Sequence, residues 1–154
     1  MKRITAIILA VLMMMAVLAG CGGAKSVDLN SVMTGINSQF GFSGLKTLED
    51  TKALNRYYQI NEADVKSFAG ELSTAASQYT EVVIVEANDS NAAQNIKTQL
   101  DAHLSSQLNN AKSYDADQVA MIEACSAKTV GNYAYLVVSD KFSEITGVIE
   151  AALK

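Results

Sequence analysis

Glu81-Val82-Val83-Ile84-Val85 is the stretch of sequence that decides the fold. Short runs of β-branched residues favour a buried strand. Directly after it, Asn88-Asp89-Ser90 offers side chains that cap helices. The next apolar residues recur at helical spacing and predict a long amphipathic helix, with a buried face made of Ala93, Ile96, Leu100, Leu104, Leu108 and Ala111. A buried strand followed by a long helix is therefore the centre of the predicted domain.

Toward the C-terminus the pattern predicts a hairpin and a final helix. Residues 125–130 and 133–138 are two strand-like runs, and Gly131-Asn132 between them supplies a turn. Ser139 or Asp140 is then expected to cap a helix. The apolar face of that helix consists of Phe142, Ile145, Ile149 and Ala152.

Toward the N-terminus the pattern is less regular. Asp28 is placed to cap a helix whose apolar face is formed by Leu29, Val32, Met33, Ile36 and Phe40. Residues 45–60 contain Leu54, Tyr57 and Tyr58, which could share one helical face. Residues 65–72 fit a helix or an edge strand, and the strand is favoured.

The order of these elements predicts an α+β fold. A strand-helix-strand-strand-helix core, preceded by one or two N-terminal helices, forms a two-layer sandwich. We expect a sheet of three or four strands with the helices on one face. No repeat or second linker interrupts residues 27–154, which are predicted to form a single domain.

The first twenty residues have the pattern of an export signal. Met1-Lys2-Arg3 is positively charged, residues 4–18 are almost wholly apolar, and Ala19-Gly20 supplies small residues. The apolar run is shorter than the ~20 residues that span a bilayer comfortably. Residues 1–20 are therefore predicted to be a cleaved signal peptide.

Leu18-Ala19-Gly20-Cys21 resembles the lipobox of bacterial lipoproteins. The resemblance implies cleavage between Gly20 and Cys21 and diacylglycerol on the Cys21 sulfur, with fatty acids such as palmitate as the anchor. It places the protein outside the cell, lipid-anchored to the outer face of the cytoplasmic membrane. Residues 21–26 would then be the lipidated cysteine and a flexible, glycine-containing tether, whose last five residues reach at most about 18 Å.

The charge balance excludes two classes of partner. The chain has a net charge of −4, and loss of Lys2 and Arg3 with the leader leaves ten basic against sixteen acidic side chains. Nucleic-acid binding needs clustered Lys and Arg to neutralise phosphates, so no nucleic acid is expected. The same balance argues against a domain that lies flat on an anionic bilayer.

The rest of the mature chain resembles a domain-of-unknown-function family of Gram-positive lipoproteins, family 4358. The likeness runs from about Val27 to the C-terminus. It is carried by Leu54-Asn55-Arg56-Tyr57-Tyr58-Gln59-Ile60, Asp64-Val65, Ser113-Tyr114-Asp115-Ala116-Asp117-Gln118, Val130-Gly131-Asn132-Tyr133 and Val137-Val138-Ser139. That family has no assigned activity, so the resemblance bears on fold and cellular address only.

The residues that could carry chemistry have simpler explanations. Ser43 lies in Gly41-Phe42-Ser43-Gly44, which lacks the spacing of a nucleophile elbow. His103, the single histidine, falls at the edge of the long helix's apolar face and lacks partners at metal-ligand spacing. The acidic pairs Asp115/Asp117 and Glu62/Asp64 lack the glycine and distal glutamate of a calcium loop. No catalytic residue, metal or cofactor is expected.

Two further features bear on function. Cys125 is predicted to be a buried lone thiol, because lipid on Cys21 would remove Cys21 from disulfide chemistry. The tyrosines are a candidate ligand surface, since aromatic side chains bind peptides and glycans. The candidate residues are Tyr57, Tyr58, Tyr133 and Tyr135. The competing interpretation is that these tyrosines simply pack in helices and strands.

We therefore expect a non-catalytic binding or accessory module of the cell envelope. Its partners would be the membrane, through the lipid on Cys21, and an envelope protein, a peptide or a glycan. Two alternatives stay open: a cell-envelope enzyme whose acidic site no linear motif reveals, and an accessory subunit of a transporter.

Overall fold

A five-stranded antiparallel sheet is the centre of the computed structural model, which describes residues 26–154. The predicted signal peptide and the lipidated Cys21 lie outside the described residues. The strands run in the order β1-β2-β3-β5-β4, with β1 (Lys46–Thr47), β2 (Val65–Leu72), β3 (Glu81–Ala87), β4 (Ala127–Val130) and β5 (Tyr133–Val138).

Within residues 26–154, five α-helices cover this sheet. They are α1 (Leu29–Phe40), α2 (Thr51–Tyr58), α3 (Ser90–Tyr114), α4 (Val119–Glu123) and α5 (Phe142–Ala152). Short 3₁₀ turns at Glu62–Asp64 and Ala116–Gln118 lead into β2 and α4. None of the helices within residues 26–154 is both long and apolar enough to cross a membrane.

All seven residues of β3 are buried, and they alternate between two separate hydrophobic cores. Val83 and Val85 pack under α2, α3 and α4, on what we call the α3 face. Val82 and Ile84 pack under α1 and α5, on what we call the α1 face. Because successive strand residues point to opposite sides, an uninterrupted apolar strand requires cover on both faces.

The predicted α+β sandwich is confirmed, and the structure corrects two of its details. The sheet has five strands rather than three or four, and helices lie on both faces rather than one. The extra strand is β1, whose two residues are too short for a periodic pattern. Strand β2 is confirmed as a strand, but β1 and β3 pair with its two edges, so it is not at the edge of the sheet.

Two predicted helix caps are confirmed. The Asp28 carboxylate accepts from the N–H groups of Asn30 (3.1 Å) and Ser31 (3.3 Å), and Asp89 accepts from the N–H of Ala92 (2.8 Å). Such bonds satisfy amides that have no partner inside the helix. Helix α5 begins differently.

Lys141 is the N-cap residue of α5 and makes no side-chain cap bond. The Ser139 hydroxyl accepts from the backbone N–H of Lys141 at 3.1 Å, before the helix begins. The predicted cap from Ser139 or Asp140 is therefore wrong by position: the helix starts one or two residues too late for either side chain to reach its first amides.

Candidate functional site

A cavity of about 320 Å³ lies where the chain enters helix α1. It is lined by residues 26–30 at the start of α1, residues 66–68 at the start of β2, and Glu86 near the end of β3. The cavity therefore sits at one end of the sheet, on the α1 face, and its chemistry is set by Lys66, Glu86 and Asp28.

Glu86 is buried beneath this cavity but fully engaged by hydrogen bonds. Its Oε1 lies 2.6 Å from Lys66 Nζ, and its Oε2 accepts from Ser67 Oγ at 2.8 Å. Burial raises the pKa of Glu86, but hydrogen bonds from Lys66, Ser67 and Tyr133, with the Lys66 charge, outweigh burial and leave that pKa below its ordinary value. Glu86 is thus an ionised carboxylate at neutral pH.

Asp28 forms the other acidic wall of the cavity. Its hydrogen bonds from the side chain and backbone of Ser31 and the backbone of Asn30 lower its pKa. The backbone N–H of Val27, beside it, donates to the Tyr133 hydroxyl at 3.4 Å and fixes the entering chain to the sheet. A general acid needs a proton to give at working pH, so neither Asp28 nor Glu86 suits that role.

A second cavity of about 120 Å³ continues along the same helix and shares Asn30 with the first. One wall is formed by Asn30, Met33, Thr34 and Asn37 of α1. The other is formed by Thr47 of β1, by Leu48 directly after it, and by residues 69–71 of β2. We call the two cavities together the α1–β2 groove. Asn37 Nδ2 donates to Glu71 Oε1 at 2.9 Å, and this leaves Asn37 Oδ1 buried without a hydrogen-bond partner.

A different polar group is enclosed in the core of the α3 face. The Glu81 carboxylate, 2% exposed, accepts from the Tyr58 hydroxyl at 3.0 Å and lies 3.1 and 3.2 Å from His103 Nε2. In the tautomer with a proton on Nε2, His103 donates this bond to the carboxylate. The Tyr58 and His103 rings also contact each other, with centroids 4.6 Å apart. We call these three residues the Glu81 cluster.

The Glu81 cluster lines neither cavity of the α1–β2 groove. Burial, followed by the charge and hydrogen bond of Glu81, raises the pKa of Tyr58 well above its ordinary value. Within residues 26–154 no group of three or more His, Cys, Asp or Glu residues could hold a metal ion. The hydrogen bonds of the cluster link α2, β3 and α3, and so stabilise the packing of these three elements.

Cys125 is a buried free thiol, which confirms its predicted burial. It lies just before β4, not within it, and its Sγ donates to the backbone oxygen of Met121 at 3.1 Å. Burial raises the pKa of the thiol, and the nearby charge of Glu81 adds to the rise. A thiol that stays protonated is a poor nucleophile.

The four candidate tyrosines are not brought together. Tyr57 and Tyr58 pack on the α3 face, whereas Tyr133 and Tyr135 pack on the α1 face. Tyr58 and Tyr135 are also buried, and Tyr135 donates to Glu150 Oε1 at 2.8 Å. The predicted tyrosine surface is therefore corrected: the shared face of Tyr133 and Tyr135 points into a core, because α1 and α5 cover it.

The other sequence candidates lie apart from the groove. Ser43 is exposed in the loop after α1. Asp115 accepts from the Tyr79 hydroxyl at 2.7 Å, and Glu62 is bonded by the Thr51 hydroxyl. Asp64, in the same 3₁₀ turn as Glu62, has its backbone oxygen bonded by the N–H of Asn88 at 3.0 Å.

Sequence reasoning missed Glu81, Glu86 and Lys66. A usable signal was present, since Glu81 and Glu86 flank the apolar run of a strand that must be buried, and buried carboxylates require partners. The partners themselves are 19 to 23 residues away along the chain, and no local pattern identifies them.

Comparison with curated proteins and with solved structures gives no match. The model of the family described as Domain of unknown function (DUF4358) matches residues 39–139. That match spans more than half of the 154 residues and includes both Glu81 and Glu86. The chain therefore belongs to the DUF4358 family.

Proposed function

We propose that this protein is an exported lipoprotein whose domain acts as a non-catalytic binding or accessory module at the outer face of the cytoplasmic membrane. The observation that carries the proposal is Leu18-Ala19-Gly20-Cys21 at the end of an apolar leader. Each buried methylene of an acyl chain contributes about 0.8 kcal/mol, so two or more chains on Cys21 hold a protein durably.

The α1–β2 groove supports binding as the activity of the domain. Its helical wall presents the side chains of Asn30, Thr34 and Asn37, and its strand wall presents Ser67 and Glu71. Amide, hydroxyl and carboxylate groups recognise polar ligands through hydrogen bonds. A peptide or glycan of the cell envelope has the matching chemistry, because both carry many hydrogen-bonding groups along an extended chain.

The protonation states of the groove favour binding over acid–base catalysis. The pKa values of Asp28 and Glu86 are both lowered, whereas a catalytic carboxylic acid needs a raised pKa. The Glu81 cluster is enclosed in the core, and its carboxylate is 2% exposed. These features support a module that holds a partner and does not transform it.

The anchor is tested with two matched cysteine variants. Cys21→Ser is expected to lose metabolic labelling with palmitate and to leave the membrane fraction. Cys125→Ser removes a buried thiol and keeps Cys21, so it should retain both the label and membrane association. Membrane retention of Cys21→Ser without any lipid label would refute the lipoprotein proposal.

The binding surface is tested by photo-crosslinking in intact cells. Thr34 in the groove and Ser105 on α3 are matched positions, since both are exposed and both hydroxyls donate to the carbonyl four residues earlier, at 2.9 Å. A photoreactive amino acid at position 34 should give a discrete adduct that is absent at position 105. An adduct whose partner is degraded by protease indicates a protein, and one whose partner is degraded by muramidase indicates a glycan. Equal crosslinking at both positions would count against the groove.

A further inference from the structure

The described chain begins at a defined end of the sheet, which we call the chain-entry end. Here β2 begins, β3 ends and the turn Gly131-Asn132 joins β4 to β5. The register pairs Val65 with Ala87, and the Ala87 N–H donates to the Asn132 carbonyl at 2.8 Å. These contacts bring the strand ends and the turn together.

The position of Ser26 at this end follows from its neighbours. The Val27 N–H donates to the Tyr133 hydroxyl at 3.4 Å, and Asp28 caps α1 with bonds to the first helical amides. Cys21 is only five residues before Ser26. An extended chain of that length reaches at most about 18 Å, so an anchor at Cys21 holds the chain-entry end near the bilayer.

The opposite end of the sheet lies one strand length further away. There residues 73–80 connect β2 to β3. At about 3.4 Å per residue, β3 spans about 20 Å from Glu81 to Ala87. A domain fixed at one end of its strands therefore has two ends at distinguishable heights above a membrane.

The chain-entry end carries exposed acidic side chains. Asp28 begins α1, Glu62 lies in the turn before β2, and Asp89 caps α3 just after β3. The hydrogen bonds of Asp28 lower its pKa, so its charge is retained at neutral pH. The lysine that lines the cavity at this end, Lys66, is engaged by Glu86 at 2.6 Å. Even with Lys25 of the tether counted, these three carboxylates outnumber it, so anionic headgroups would be repelled by this end of the domain.

We infer that the domain stands over the membrane on its chain-entry end, with residues 73–80 turned outward, and that the exposed carboxylates of this end hold it off anionic lipid. This inference rests on the proposed membrane anchor. It has two consequences: the α1–β2 groove opens beside the bilayer at its Lys66 end, and the height of the domain depends on lipid charge and salt.

The experiment measures energy transfer from a dye on the full chain to acceptor lipids in vesicles. In a Cys125→Ala background, Asn132→Cys places the dye at the chain-entry end, and Ala76→Cys places it in the exposed opposite loop. On phosphatidylcholine vesicles we expect several-fold greater transfer from position 132 than from position 76. Equal transfer, or greater transfer from position 76, would overturn the orientation.

Lipid charge supplies the second arm. Adding phosphatidylglycerol to the vesicles should lower transfer from position 132 at low salt, and high salt should restore it, because the Debye length falls from about 30 Å at 0.01 M to about 3 Å at 1 M. The variant Glu62→Gln/Asp64→Asn spares the helix caps and should show a smaller decrease. Increased transfer on anionic vesicles would overturn the repulsion.

Mass spectrometry of the same samples separates this inference from the proposed anchor. It reports whether Cys21 carries lipid. If Cys21 proves unmodified, the lipoprotein proposal fails, and the orientation that rests on it fails too. If Cys21 carries lipid and the two dye positions give equal transfer, the orientation alone is overturned and the lipoprotein proposal stands.

Discussion

Glu81 and Glu86 stand at the two ends of strand β3 and face opposite cores. Both are buried, at 2% and 5% exposure, yet they are stabilised in different ways. Glu86 on the α1 face pairs with the ammonium group of Lys66 and the hydroxyl of Ser67, at the edge of a cavity. Glu81 on the α3 face is held by Tyr58 and His103 inside the core.

The difference shows how location decides which partner a buried carboxylate can use. Lys66 keeps more than half of its side chain exposed (56%) while its ammonium reaches Glu86, so the lysine is not itself desolvated. The partners of Glu81 are more enclosed, since Tyr58 is 1% exposed and the His103 side chain is 19% exposed. Beneath α2 and α3, phenol and imidazole groups supply the hydrogen bonds. Removing the hydrogen-bond partners should therefore lower the free energy of unfolding more at Glu81 than at Glu86, because water cannot readily replace the partners of Glu81.

The largest effect is expected from removing both donors to Glu81. The variant Tyr58→Phe/His103→Leu keeps similar side-chain volumes and leaves a buried carboxylate without these partners. We expect a loss of about 3–5 kcal/mol in the free energy of unfolding, measured by urea denaturation, since breaking a buried polar pair costs about that much.

A third substitution tests the cause of that loss. Adding Glu81→Leu removes the unpaired carboxylate and should recover most of the stability, because an apolar side chain suits the site once its partners are gone. If the triple variant is no more stable than the double variant, lost packing rather than desolvation of Glu81 explains the effect.

An intermediate effect is expected at Glu86. Lys66→Met should lower stability at pH 7 by roughly a third, or less, of the loss in the Tyr58→Phe/His103→Leu variant, because the lysine of this pair is more than half exposed and its charge is screened by water. The exposed Lys52 on α2 offers a matched control, and Lys52→Met should leave stability nearly unchanged. A Lys66→Met loss as large as that of the double variant would remove the contrast between the two glutamates.

The pH dependence sharpens this comparison. Since the folded-state pKa of Glu86 is lowered, its stabilising contribution is present above its unfolded-state pKa and is lost as the pH falls through the folded-state value. The difference in stability between wild type and Lys66→Met should therefore become smaller below about pH 4. Urea denaturation midpoints of both proteins, measured from pH 7 down to pH 3, check this prediction. A stability difference that grows on acidification would contradict the ion pair between Lys66 and Glu86.

The smallest effect is expected from Tyr135→Phe. The Tyr135 hydroxyl donates to Glu150 at 2.8 Å, but about a third of the Glu150 side chain is exposed (34%), so water can take over the bond. We expect stability within about 1 kcal/mol of wild type. Tyr58→Phe, which deletes a donor to the buried Glu81, should cost more in the same urea experiment. The reverse ranking would mean that carboxylate burial does not govern these two bonds.

Much of the fold could be predicted because it depends on local patterns. The β-branched run 82–85, the helical spacing from Ala93 to Ala111 and the caps at Asp28 and Asp89 all lie in the structure as predicted. Strand β1 could not be predicted, since its two residues form a strand only by pairing with Leu72 and Glu71. The cover on both sheet faces was also missed, although the buried run of β3 implied it.

The sequence by itself determined the α+β class, the buried central strand, the resemblance to a lipoprotein leader followed by Cys21, and the likeness to the DUF4358 family. Each depends on residues that are neighbours along the chain or repeat with a short period. Only the tertiary structure decided that Tyr58 and His103 meet Glu81, that the tyrosines divide between two cores, and that a polar groove follows α1. These arrangements depend on which distant segments of the chain pack together. The segments pack as they do because both faces of one sheet must be buried.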